Sequence, residues 1–176
     1  MSSGLSRGKI AAGATAAAVA IATPLVIYFE GSVDRGYLDP VHIVTACVGS
    51  THDTDGTRLT TEDIGKRYTP LECETMLQRD LAEHSAVLAC ITRPVSNNVK
   101  GATLSFAFNV GVTAACNSRY IYKLNTGDPT ACAELSRWTI SKGREFPGLV
   151  KRRAAERALC ERPDPTPPLK MEEKVR

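Results

Sequence analysis

The pattern of apolar and polar positions opens with a run that carries no charge. Arg7 and Lys9 precede twenty uncharged residues, Ile10 to Phe29, a length that as a helix of about 30 Å reaches across a hydrocarbon core. Eight of the twenty are alanine, and Gly13, Thr15, Thr23 and Pro24 are among the rest. The strongly apolar side chains are Ile10, Val19, Ile21, Leu25, Val26, Ile27 and Phe29, each worth roughly −0.3 to −0.6 kcal/mol at mid-membrane. The sum is a marginal insertion energy, so the segment can enter a bilayer without being committed to it. Four fates fit these residues: a cleaved signal peptide, a permanent anchor, a weakly held anchor that later leaves, and an N-terminal core helix. In the first three the positive-inside rule keeps the N-terminus in the cytoplasm and sends the rest outward.

From Gly31 to Thr60 the chain is rich in Gly, Asp, Thr and Val, with a β-favouring run from Val41 to Val48 and turn signals at Asp34, Asp55 and Gly56, which predicts a small hairpin sheet. Beyond it the period becomes helical. Thr69-Pro70-Leu71-Glu72 is a capping box with proline at the first helical position, and the helix it opens carries Cys73, Leu77, Leu81, His84 and Leu88 on one face. Further helices are expected over Val99 to Val110, Ser118 to Leu124, Pro129 to Ile140 and Pro147 to Cys160, with breaks at Gly111 to Thr113, Gly127-Asp128 and Gly143. The expected class is α+β: a mainly helical body, residues 30–161, with a β-hairpin lobe at its N-terminal side and a helical C-terminal lobe. After Cys160, the proline-rich stretch from Arg162 and the charged end Lys170 to Arg176 read as a disordered tail, residues 162–176.

Composition narrows the function classes. A net charge of +3 with basic residues gathered late, at Lys142, Arg144, Lys151, Arg152, Arg153 and Arg157, suits an anionic cell-wall polymer better than nucleic acid. The six cysteines, Cys47, Cys73, Cys90, Cys116, Cys132 and Cys160, form no C-x-x-C pair, which argues against a metal or redox site. They fit either three disulfides or six buried thiols, and export decides for disulfides. Cys90 and Cys116 flank the Val99 to Val110 helix and are the first pair expected.

Glycoside cleavage requires one carboxylic acid to protonate the leaving oxygen and a second polar group to hold water or stabilise an oxocarbenium-like transition state. Glu30 at the end of the apolar run, then Asp39 and Thr45 on the hairpin, supply such a set. These residues at this spacing resemble the catalytic signature of the phage-type lysozymes of glycoside hydrolase family 24. The resemblance continues through Ser105-Phe106-Ala107-Phe108-Asn109-Val110-Gly111, Lys123 to Asp128, Arg137-Trp138, and Pro147 to Arg153 with Glu156 and Arg157. It implies a lysozyme fold and hydrolysis of the β-1,4 bond between N-acetylmuramic acid and N-acetylglucosamine in peptidoglycan, without cofactor or metal. Glu30 would be the general acid, Asp39 and Thr45 would hold the attacking water, and Asn109 would contact substrate. The hairpin departs from the family's usual pattern at His42, Val44 and Ser50, and the family-like histidine is missing; His52 reads as a surface residue. Trp138 reads as core, and Lys151-Arg152-Arg153 as a solvated helix face rather than a site.

The alanine-rich leader, residues 1–29, resembles the anchor of signal-anchor-release endolysins. That resemblance implies export in an inactive form tethered to the inner membrane through residues 10–29, then release to the periplasm when a holin or pinholin collapses the membrane potential. The anchor contains no cysteine, so a thiol switch from that segment is excluded and control must be topological. A monomer is expected. A lytic transglycosylase and a non-catalytic, membrane-anchored wall-binding protein are the alternatives.

Overall fold

A computed structural model of the chain describes residues 7–164, with side chains from residue 15. The expected tail from 165 to 176 and the first six residues lie outside the described residues. Helix α1 spans Arg7–Glu30 and contains Pro24. Its buried face is a row of small side chains: Ala18, Ala22 and Val26 are fully buried and Val19 nearly so, against Val48, Leu77, Leu81 and Leu104. The four-residue spacing of 18, 22 and 26 places them on one stripe. Gly31, at φ +72, ends the helix, and its amide donates to the Ile27 carbonyl at 3.0 Å. Only glycine takes that backbone conformation without strain. Among the described residues no helix is long and apolar enough to cross a membrane.

Strands β1 (Val33–Leu38) and β2 (Val44–Cys47) form the expected antiparallel hairpin, with Tyr37 opposite Thr45 and a register shift between Val33 and Tyr37. The β-favouring run from Val41 pairs only from Val44, because the Asp39 carboxylate accepts the amides of Val41 and Ile43 at 2.9 and 2.8 Å. Those bonds hold residues 39–43 as a loop, with His42 at φ 62, instead of extending the ladder.

Helix α2 (Pro70–His84) starts at the anticipated box: Thr69 Oγ1 accepts the Glu72 amide, and Glu72 Oε2 accepts the Thr69 amide at 2.7 Å. Such a cap contributes about 1 kcal/mol. Cys73, Leu77 and Leu81 are buried on its inner face, whereas Leu88 lies beyond the helix in a 3-10 segment, Ser85–Cys90. Helix α3 (Asn97–Val110) is the central rod, with every residue from Gly101 to Ala107 buried. At Gly101 it passes so close to α1 that a Cβ would stand 2.4 Å from the Ile21 methyl Cγ2.

Two expectations about the remaining helices are corrected. The break expected at Gly111 to Thr113 is a single residue, since α4 (Val112–Cys116) begins at once, before α5 (Arg119–Thr126). The helix expected over Pro129 to Ile140 is instead a 3-10 stretch, Ala131–Arg137, followed by a small hairpin of β3 (Ile140–Ser141) and β4 (Arg144–Glu145). Lys142 and Gly143 both take positive φ at its turn, the signature of a two-residue hairpin, and Cys132 in the 3-10 stretch is tied to Cys160 of α6 (Pro147–Glu161). Trp138 packs edge-on against Phe106 at 5.2 Å between ring centres, a core role as read from the sequence.

All six cysteines are paired, Cys47 with Cys73, Cys90 with Cys116, and Cys132 with Cys160. The pair expected first is among them. Sequence separations of 26, 26 and 28 residues correspond to roughly 3–4 kcal/mol each in the chain-entropy account.

Candidate active site

Glu30 sits at the last turn of α1, where that helix meets the C-terminal end of α3 and the start of α6. Together with Phe29, Asn109, Phe146, Gly148, Leu149 and Arg152 it lines a cavity of about 260 Å³. Glu30 and Asn109, both singled out from the sequence, therefore face one space. Asp39 and Thr45 do not line it. Asp39 stands at the tip of the hairpin with one carboxylate oxygen organising the loop, and Thr45 is buried on β2, its hydroxyl 3.5 Å from the Ile43 carbonyl.

The expectation that Lys151-Arg152-Arg153 lies on a solvated face fails for two of the three. Arg152 is 3% and Arg153 1% exposed. Arg152 spreads its guanidinium over three partners: Nη1 donates to Glu30, Nε to Glu156 at 3.1 Å, and Nη2 to the Ser105 carbonyl at 3.1 Å. Arg153 Nη2 donates to Asn109 Oδ1 at 2.8 Å, while its Nε lies 3.0 Å from Glu156 Oε2. Glu156, fully buried, also accepts the Ser105 hydroxyl at 2.8 Å. The cluster thus holds two guanidiniums and two carboxylates, which is what makes burying them tolerable.

Burial pushes the Arg153 guanidinium down to about 10, opposed by Glu156, and it remains a cation at neutral pH. Desolvation likewise pushes the Glu156 carboxyl upward, against the pull of Arg153, Arg152 and the Ser105 hydroxyl. The guanidinium planes lie over Phe106 and Phe29 at 4.9 and 5.7 Å, contacts that suit arginine better than lysine. The signal that could have found this cluster is the spacing 152, 153, 156, which puts two arginines and a glutamate on one helical face.

The unusual end of the hairpin has its own arrangement. Ser50, 1% exposed, donates to Asp80 Oδ2 at 2.5 Å, so a hydroxyl–carboxylate bond ties β2's exit to α2. His52 is half-buried, with Nδ1 3.1 Å from Thr51 Oγ1. With Thr51, Asp80, Glu83, His84 and Phe108 it lines a second cavity, of about 230 Å³. Phe108 lines this cavity and its neighbour Asn109, at the same end of α3, lines the first. Among the described residues no group of three or more His, Cys, Asp or Glu side chains is placed to hold a metal ion.

The family model for phage lysozyme matches residues 27–156, from just before Glu30 through Glu156. The chain belongs to the phage lysozyme family. It is a glycoside hydrolase, a lysozyme. It is 33% identical over 164 residues to the SAR-endolysin of Bacteriophage PS119, covering 88% of this chain and 93% of that protein. Among solved structures, the endolysin from Escherichia coli O157:H7 phage FAHEc1 superposes with a TM-score of 0.70 at 25% identity, covering 80% of this chain and 90% of that one. A P22 lysozyme variant superposes at 0.68 with 27% identity, covering 77% and 92%. The mainly helical body with a small antiparallel hairpin is the architecture shared with them.

Proposed function

We propose that the enzyme is an endolysin muramidase that hydrolyses the β-1,4 bond between N-acetylmuramic acid and N-acetylglucosamine, and that it is exported tethered and inactive before release. The observation that carries this reading is Glu30 in the cavity at the α1–α3–α6 junction, beside Asn109 and braced by Arg152. Glu30 is the general acid that protonates the glycosidic oxygen as the bond to the anomeric carbon breaks. Asp39 and Thr45, on the hairpin, are assigned by the family resemblance to hold the water that attacks the opposite face of the sugar, giving inversion. Asn109 contacts the saccharide.

The tethering follows from position. Glu30 is one residue beyond the uncharged run, so when residues 10–29 lie in the inner membrane the acid is held at the bilayer surface, apart from Asn109 and Arg152. On release the same residues fold as α1, and their small-residue stripe docks against α3 and α2. A pore-forming holin or pinholin supplies the trigger without touching the enzyme. The three disulfides fit the oxidising periplasm in which the freed enzyme acts.

Turbidity of permeabilised Gram-negative cells tests the catalytic half. A general acid contributes about 10²- to 10⁴-fold, so Glu30→Gln should lose that much clearing rate; clearing at the wild-type rate ends the muramidase reading. Digest products with reducing ends are expected, whereas anhydromuramyl ends would make the enzyme a lytic transglycosylase. For the tether, N-terminal sequencing of periplasmic protein should find residues 10–29 intact. A mature start near residue 23 would mean a cleaved signal peptide.

A further inference from the structure

The buried cluster on α6 joins two cleft groups that have no contact of their own. Arg152 ends on Glu30 and Arg153 ends on Asn109, and both guanidiniums are held from behind by the one carboxylate of Glu156. Glu156 is fully buried and lies outside the cavity lining, so it does not touch substrate. An arginine side chain carries about 2 kcal/mol of rotamer entropy, and each one here is anchored on Glu156 before it reaches the cleft, Arg152 through Nε to Oε1 and Arg153 through Nη2 to Oε1 and Nε beside Oε2. The Ser105 hydroxyl and carbonyl, from α3, complete the socket.

We propose that Glu156 is a positioning residue that sets the general acid and the saccharide contact at once, through Arg152 to Glu30 and through Arg153 to Asn109. This rests on the roles assigned above to Glu30 and Asn109. The two arms should separate in kinetics. The Arg152 arm aims the acid at the leaving oxygen and belongs to kcat, whereas the Arg153 arm orients the Asn109 amide toward the bound sugar and belongs to KM.

The test measures kcat and KM on soluble, uncross-linked glycan strands, using the full chain with its disulfides formed, alongside thermal unfolding of each variant. Glu156→Gln should lower kcat roughly 10- to 100-fold, the scale of a small misplacement of a reacting group, and raise KM severalfold. Glu156→Asp, which keeps the charge, should recover part of both. Arg153→Met should raise KM with a smaller effect on kcat. Because Glu156→Gln leaves Arg153 buried without its ion-pair partner and can fail to fold, the charge-balanced pair Glu156→Gln with Arg153→Met carries the same comparison: it should fold and still show the kcat loss.

A folded Glu156 variant with wild-type kcat and KM, changed only in melting temperature, overturns the proposal and leaves Glu156 a purely structural residue. Glu30→Gln runs in the same assay. If it is inactive while Glu156→Gln behaves as wild type, only the positioning inference falls. If Glu30→Gln is itself active, the underlying assignment of the acid falls first.

Discussion

α1 and α6 reach the candidate site from opposite ends of the chain, both packed on α3, and they are held by opposite means. Among the described side chains of α1 the buried ones are Ala18, Val19, Ala22 and Val26, and Thr23, part-buried beside them, accepts a long bond from Gln78 of α2 at 3.4 Å. That of α6 includes Arg152, Arg153 and Glu156, whose partners are on α1 and α3. Undocking α1 exposes small apolar side chains whose burial is non-directional and asks for no particular partner. Undocking α6 strands ions that need particular partners, and neither water at the interface nor lipid replaces that geometry. On the release mechanism proposed above, α1 is the movable helix and α6 the fixed one, and they meet at Glu30–Arg152.

The largest effect should come from breaking the committed side. Glu156→Ala leaves Arg152 with Glu30 alone and the buried Arg153 with no carboxylate partner among the described residues, and losing one partner of a buried ion pair costs about 3–5 kcal/mol. Urea unfolding should show that loss. A change below about 1 kcal/mol would mean that solvent already screens the cluster, and the contrast with α1 would dissolve.

The movable side should be breakable sterically and repairable. At Gly101 a methyl would stand 2.4 Å from Ile21 Cγ2, so Gly101→Ala forces α1 off its seat, at about 1–3 kcal/mol for an overpacked core. Ile21→Ala introduced with it removes the Cγ2 obstruction and leaves only the tighter-than-normal Cβ approach of 2.9 Å, so it should restore part of the stability and of the clearing activity. Equal activity in Gly101→Ala alone would show that Glu30 does not depend on how closely α1 docks.

How far this contrast could be read from the sequence differs between the two helices. The uncharged run, the α2 capping box and the Glu30 boundary are local patterns, and each appears where its residues say. Asn109 and Glu30, both legible as site residues in the sequence, share a cavity, while Asp39 and Thr45 fall on the hairpin but outside that cavity. The spacing 152, 153, 156 hints at a shared face, but the burial of Arg152 and Arg153 is not legible from it, because a run of three basic residues looks solvated until Glu30, 122 positions away, and Ser105 are placed beside it. The same reason hid the 3-10 stretch after Pro129: its course follows from the Cys132–Cys160 bridge and the hairpin at Lys142-Gly143, both of which override helical period.

A smaller effect should come from making α1 less movable. Ala16 and Ala20 are exposed on the docked helix, so leucine at both positions adds no clash to the folded enzyme. Each leucine makes membrane insertion more favourable by roughly half a kcal/mol. The double variant should therefore stay longer in the membrane fraction after depolarisation, with delayed lysis, while the same protein refolded without membranes keeps full activity. Unchanged release kinetics would remove the bilayer from the account of α1.

The smallest effect lies at the other end of α3, where the committed helix is latched a second time. Just past α6, Asp164 accepts the amides of Asn97 and Asn98 at 2.8 and 3.0 Å, capping the first turn of α3 beside Ser96, whose hydroxyl accepts the Val99 amide. The Asn97 amide, then the Asn98 amide, hold the Asp164 carboxyl below its ordinary value of 3.8. Folding therefore favours its ionised form. The stabilisation is fully present above the unfolded value and fades as pH falls from about 3.8 through the lower folded value. Asp53, Glu72, Asp128 and Glu134 are also lowered, so the wild-type acid limb is a sum and Asp164 must be read by difference. Asp164→Asn, which can still accept one amide but carries no charge, should be less stable than wild type at neutral pH and should converge with it below pH 3. Urea midpoints measured across that range decide the point: a gap between the two proteins that stays constant with pH would mean that the latch works by packing alone, and that α6 owes nothing to charge beyond its own buried cluster.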